Sequence, residues 1–195
     1  RSDPSKDVAV AETVAVAPPC AMVIFGAGGD LTKRLVTPAL YNLVTAKRLP
    51  DGFRLVGVDR TPGTVEEWRD NLTRMMDEFV TKGGGEFQAD HLDQSAWRWL
   101  TDRMTFVHGD FTNPQDYGRL KEHLAGLDKT AGNHLFYLAV PDRFFAPIVA
   151  ALGAADLVTE QDDGPWRRVV IEKPFGHDLP SAKALNAEIL KTLQE

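Results

Sequence analysis

The chain has a single cysteine, Cys20, so it cannot close a disulfide within itself, and nowhere does it pair potential zinc ligands at zinc-site spacing. A reducing cytoplasm is therefore the natural setting, and no metal site is expected. Long apolar runs are also missing: none approaches the roughly 20 residues of a membrane span. Basic residues are the minority, Lys+Arg 22 against Asp+Glu 28, for a formal net charge of −6. That balance disfavours nucleic acid or an anionic membrane as the main partner but allows a local basic site for a phosphate. The opening "RSDPSKDVAVAETVAVAPPC" lacks the leucine-rich core of a secretory signal. It reads as a flexible arm over residues 1–20; its Val-Ala alternation could alternatively add an edge strand, which Pro18 and Pro19 interrupt.

Beyond the arm, the chain alternates between two kinds of segment. "AMVIFGA" is a continuous apolar run of the kind a strand buried on both faces needs, and it ends in glycine. "GDLTKRL" opens a helix, and Pro38 stands where a second helical stretch can begin. "FRLVGVDR" is the next strand. From Thr64, with Glu67 at capping-box spacing, the residues Val65, Trp68, Leu72, Met75, Met76 and Phe79 form one helical stripe, read as core. "DQSAWRWLTDRM" predicts a helix and "MTFVHGDF" a strand. Asn113 and Pro114 start another helix, "NHLFYLAV" is a fourth strand ended by Pro141, "RFFAPIVAALGAADL" is an apolar helix, "WRRVVIEKP" is a fifth strand, and a last helix is capped near Asp178 or Ser181. Apolar strands alternating with helices imply an α/β fold, a doubly wound parallel sheet of Rossmann-like type filling residues 21–195.

Two places carry chemistry. Gly26-Ala27-Gly28-Gly29-Asp30-Leu31 falls short of G-x-G-x-x-G, because Leu31 stands where the third glycine belongs. It keeps the physical parts of a phosphate cradle: small residues that let backbone N–H groups approach a pyrophosphate, and a helix whose positive end comes next. The same turn could equally be a tight structural corner. The triple glycine Gly83 to Gly85 has no strand before it and reads as a flexible loop. The second strand ends in Asp59-Arg60, where an acid favours a free ribose 2′-hydroxyl and an arginine favours a 2′-phosphate. Arg60 can fork onto a phosphate and stack on adenine, so NADP is the expected coenzyme, with NAD as an alternative; a solvated charge pair is the other reading.

"FGAGGDLTKRLVTPALYNL", "LFYLAVPDRFFAPI" and "VVIEKPFGHDL" resemble, in that order, three motifs of the glucose-6-phosphate dehydrogenases: the coenzyme turn, the segment beside the nicotinamide, and Glu-Lys-Pro-Phe-Gly. The resemblance covers residues 22–195. It implies NADP-dependent oxidation of glucose 6-phosphate to 6-phosphogluconolactone, the first step of the pentose phosphate pathway, with this chain carrying the coenzyme domain. Carried over residue by residue, Gly26, Ala27, Gly28, Gly29, Asp30 and Leu31 would hold the pyrophosphate and Arg60 with Thr61 the 2′-phosphate. Asp110 and Phe111 would lie beside the adenine, Ala139 and Pro141 would border the nicotinamide, and Lys173 would touch both sugar and coenzyme. A substrate-binding, catalytic α+β domain is expected beyond this chain, together with a homo-oligomer formed through it.

Two departures accompany the resemblance. Lys33-Arg34 is followed by Leu35, where the family often has a third basic residue, and the family's Arg-Ile-Asp-His-Tyr segment with its later catalytic histidine does not occur in residues 1–195. No catalytic residue is therefore assigned here. The general base is expected beyond Glu195, and residues 1–195 alone are expected to be inactive. Of five histidines, only His177 falls at the expected sheet edge, and it reads as a surface or capping residue. Two alternatives remain: a sugar dehydrogenase of the glucose-fructose oxidoreductase type, which shares Glu-Lys-Pro, and a non-enzymatic NADP-binding module.

Overall fold

Five strands, β1 (Ala21–Phe25), β2 (Arg54–Asp59), β3 (Met104–His108), β4 (His134–Leu138) and β5 (Arg167–Ile171), form one sheet in the order β3-β2-β1-β4-β5, every pairing parallel. This is the doubly wound arrangement that the alternation of segments predicts. The structure, a computed structural model, describes residues 15–82 and 91–194. The predicted arm up to residue 14 and the glycine cluster Gly83 to Gly85 lie outside the described residues. Pro19 and Cys20, at the end of that arm, are packed in: the Pro19 carbonyl accepts from Asn133 Nδ2 at 2.9 Å, and Cys20 is buried.

β1 lies at the centre, and all five of its residues are buried. Its side chains alternate between two cores. Val23 and Phe25 face α4 (Pro114–Ala125) and α5 (Phe145–Ala154), while Met22 and Ile24 face α1 (Thr37–Thr45), α2 (Val65–Lys82) and α3 (Gln94–Thr101). Burying a side chain of this size contributes about 1.5–3 kcal/mol, so the two-sided core around β1 anchors everything at its ends. The stripe of α2 behaves as its spacing predicts, with Trp68, Leu72 and Met76 buried and Val65, Met75 and Phe79 packed against them. Thr64 and Glu67 close the expected capping box, at 2.8 and 3.1 Å. Asp93, Asn113 and Asp178 cap α3, α4 and the last helix, α6 (Leu179–Ile189).

One local difference from the sequence-based expectation has a clear cause. The helix that opens after the glycine turn does not stop before Pro38; a π-helical turn, Thr32–Val36, runs directly into α1. Pro38 has no N–H to give to an earlier carbonyl. The wider turn absorbs that loss, with both the N–H and the Oγ1 of Thr37 directed to the Thr32 carbonyl.

Register fixes where the site falls. Val107, Val58, Phe25, Leu138 and Ile171 stand in one row across the sheet. The loops that follow His108, Asp59, Phe25, Leu138 and Ile171 therefore leave the same carboxyl edge together.

Candidate functional site

The glycine turn is built from the core outward. Gly26 has φ +88°, and a Cβ there would lie 2.3 Å from the Ala139 carbonyl oxygen, so only glycine fits between β1 and the loop after β4. The amides of Gly26 and Ala27 donate to Val58 O at 2.9 and 3.1 Å, and that of Gly29 to Gly26 O at 3.0 Å. The buried Thr32 hydroxyl donates to Gly26 O at 2.8 Å. Trp68 Nε1 donates to Ala27 O at 2.9 Å, its ring lying over Gly57, where a Cβ would come within 2.8 Å of it. The first helical hydrogen bond is Lys33 N–H to Gly29 O, 3.1 Å. The amides of Asp30, Leu31 and Thr32 precede it at the positive end of the helix, the arrangement that receives a phosphate group. Leu31, at the position of the missing third glycine, packs against the α1–α2 core instead.

The acid and the arginine after β2 part company. One oxygen of Asp59 accepts from Gly28 N–H at 2.8 Å and the other from Thr61 N–H at 3.0 Å, so the carboxylate is turned back onto the glycine turn. Arg60 points the other way, its guanidinium carbon 5.5 Å from the Phe111 ring centroid and 4.8 Å from that of Phe144. Sequence alone leaves the orientation of this pair open; in the structure the negative charge is held by amides and the positive one is exposed.

After β3, Asp110 accepts from both the N–H and the Oγ1 of Thr112 at 2.8 Å, bonds that hold its carboxyl below the ordinary carboxylate range, with Arg60 a smaller contributor. Phe111 is buried, edge-on to Phe25 and Phe144, and so forms the floor beneath Arg60. On the other side of β1, Ala139 is buried with its carbonyl against Gly26, while Pro141 is exposed. Lys173 is exposed and joined to Pro174 by a cis peptide. Beside it, Tyr137 Oη donates to Glu172 Oε1; burial first and this carboxylate second push the phenol pKa well up. Every residue expected to meet the coenzyme thus lies at one sheet edge, with the glycine turn after β1 at the centre, Arg60, Thr61, Asp110 and Phe111 after β2 and β3 on one side, and Ala139, Pro141 and Lys173 after β4 and β5 on the other.

Several groups at this edge carry no signal in the sequence. Trp68 reads there only as core, since nothing in a helical stripe signals a hydrogen bond to a distant turn. His177 reads in the sequence as a surface or capping residue, and what the sequence does not show is its neighbour across the edge: its Nε2 lies 3.3 Å from Asp142 Oδ2, with the histidine side chain 80% exposed. Arg143 and Phe144, on the short 3-10 turn Asp142–Phe144, reach the Arg60 side. A groove of about 730 Å³ opens beside the turn, lined by Gly28, Lys33, Asp59, Thr61, Trp68 and Arg74 among others, a volume within the range of small-ligand sites.

Fold, turn and edge define a doubly wound dinucleotide-binding domain. The family model described as "Glucose-6-phosphate dehydrogenase, NAD binding domain" matches residues 23–195, and the chain belongs to that family. It is 41% identical over 183 residues to a glucose-6-phosphate 1-dehydrogenase of Chlamydia pneumoniae, covering 91% of this chain and 34% of the relative. To glucose-6-phosphate 1-dehydrogenase 2 of Mycobacterium tuberculosis it is 40% identical over 177 residues, 89% and 33% of the two chains. Among solved structures, glucose-6-phosphate 1-dehydrogenase from Mycobacterium avium superposes with a TM-score of 0.73 at 33% identity, covering 91% of this chain and 35% of that one. A glucose-6-phosphate dehydrogenase in complex with its substrate gives 0.78 at 25% identity, covering 92% and 35%. The chain spans about a third of the length of these relatives.

Proposed function

We propose that this chain is the coenzyme-binding part of an NADP-dependent glucose-6-phosphate dehydrogenase, oxidising glucose 6-phosphate at C1 to the lactone. The observation that carries the reading is the glycine turn. Gly26 is sterically obligatory, and the helix after it offers its first-turn amides at the same edge as Arg60 and Lys173. The residues fit a dinucleotide: Gly26 to Leu31 would receive the pyrophosphate, Arg60 and Thr61 the 2′-phosphate, and Ala139 and Pro141 would flank the nicotinamide. The bound nicotinamide supplies the hydride acceptor. Lys173 would orient a sugar hydroxyl or phosphate at the carboxyl end of β5 as a compact, exposed cation. Glucose 6-phosphate as substrate is supported by the family and by the substrate named for one related structure.

NADP rather than NAD is supported by the division between Asp59 and Arg60. A carboxylate occupied by two amides repels a 2′-phosphate less than a free one would, and an exposed guanidinium remains to fork onto it. Calorimetric titration of the wild type, Arg60→Ala and Asp59→Ala with NADP and with NAD tests this. The expected result is tighter binding of NADP, lost by about tenfold in Arg60→Ala, and weakening of both coenzymes in Asp59→Ala, which frees the Gly28 amide. Equal binding of NADP and NAD by wild type and Arg60→Ala alike would overturn the NADP assignment.

A further inference from the structure

Arg60 and Arg143 leave different strands, β2 and β4, and arrive at the same aromatic ring. Each guanidinium carbon lies 4.8 Å from the Phe144 centroid. Because β1 runs between β2 and β4, the two meet across the end of the strand that carries the glycine turn. Their platform is rigid: Phe144 is 9% exposed and stands edge-on to Phe111 at 5.6 Å, and Phe111 stands edge-on to Phe25 at 5.9 Å. Both arginines are exposed, and among the described residues neither has an ion-pair partner. The carboxylates of the neighbouring loops are already engaged. Asp59 holds the Gly28 and Thr61 amides, Asp110 holds Thr112 and feels Arg60 only as a weaker, through-space charge, and Asp142 accepts from the Arg143 amide while its other oxygen faces His177.

Two guanidiniums each 4.8 Å from one ring centroid lie no farther apart than twice that distance, so their like charges oppose each other, and a cation–π contact at an exposed site offsets this only weakly. A neutral adenine would offer them stacking without relieving that opposition. A phosphate group would neutralise both and accept forked hydrogen bonds from each. The pyrophosphate already has the first-turn amides after Gly29, whereas Arg60 comes directly after β2, the strand whose end meets the adenosine ribose in this fold class.

We propose that Arg143 is a second determinant of coenzyme choice, forming with Arg60 a two-guanidinium clamp for the 2′-phosphate of NADP. The clamp rests on the proposed coenzyme function and adds to it a residue on the opposite side of β1.

The test is calorimetry with NADP, NAD and adenosine 2′,5′-bisphosphate on wild type, Arg143→Ala, Arg143→Lys and Arg60→Ala, at low and moderate salt, with circular dichroism of each variant as a folding check. Arg143→Ala should weaken NADP and the bisphosphate by about tenfold, leave NAD within about twofold, and flatten the salt dependence of NADP binding. Arg143→Lys should recover part of the loss. NADP binding unchanged by Arg143→Ala, or NAD and NADP weakened equally, overturns the clamp; if Arg60→Ala meanwhile removes the NADP preference, the coenzyme function survives without it. A folded wild type that binds neither dinucleotide overturns both.

Discussion

The two sides of the carboxyl edge are built differently. On the side of β1 and β2, the glycine turn is tied down at several points: Gly26 to Ala139 by contact, Ala27 to Trp68 and Gly26 to Thr32 by buried hydrogen bonds, and Gly28 to Asp59 by an exposed one. On the side of β5, Lys173, Pro174 and Phe175 are exposed, and the link of His177 to the neighbouring loop is a solvent-facing pair of the kind that contributes about 0–1 kcal/mol. On the proposed coenzyme reading this contrast follows from the ligand: a pyrophosphate cradle would have to present amides in fixed directions, so most of its ties are buried, whereas Lys173 would act as a charge on a long stem and need only its root held in place.

That contrast is broken most severely by Gly26→Ala. The added methyl meets the Ala139 carbonyl in a backbone conformation unsuited to an alanine, so a loss of about 3 kcal/mol or more is expected, together with loss of dinucleotide binding. Urea unfolding and NADP titration measure the two effects. Trp68→Phe is next. It keeps most of the ring but leaves the Ala27 carbonyl without its donor, and should cost about 1–3 kcal/mol and weaken NADP before it disturbs the rest of the fold. Unchanged coenzyme affinity in a destabilised Trp68→Phe would show that the turn is held without the indole.

The opposite edge of the sheet provides a control that depends on pH. His134 starts β4 and is buried, its Nδ1 without a hydrogen-bond partner among the described residues; burial first and Arg167 second lower its pKa to about 4. The folded protein therefore keeps this ring neutral down to about pH 4, while the unfolded chain takes up the proton near the ordinary value of about 6.5. Between those values the unfolded state binds more protons, so the stability from this group is intact above about pH 6.5 and declines as pH falls toward about 4. Urea midpoints across that range should fall less steeply for His134→Leu than for wild type; parallel curves would remove His134 from the account. Smallest of all is Lys173→Ala, expected to change stability by less than about 0.5 kcal/mol and NADP affinity only a few-fold. A large loss of stability would mean that the β5 side is as firmly built as the β1 side.

Much of the fold was legible in the residues. The alternation of segments predicts the parallel sheet, the stripe from Val65 to Phe79 lies where its spacing puts it, and the caps expected at Thr64, Asn113 and Asp178 form. Such features are local: a period of 3.6 or a capping side chain is written within a dozen residues. The site was legible as a set of residue types for the same reason, since a glycine run after a strand and an arginine at the end of the next are short patterns with a mechanism.

What neighbours in space decide was not legible. The sequence places Asp59 and Arg60 side by side, but only the packing of β2 against β1 turns the acid onto Gly28, and only the loop after β4 offers Arg60 the Phe144 ring. Asp142 and His177 are far apart along the chain and meet because β4 and β5 are adjacent. Local periodicity and short motifs were enough to define the class of fold, the family and which residues carry charge at the sheet edge, because each of these is encoded within a single segment. Which of those charges are held, which are free and which share a ring was settled only in three dimensions, because the interaction of a side chain depends on where distant strands end in register.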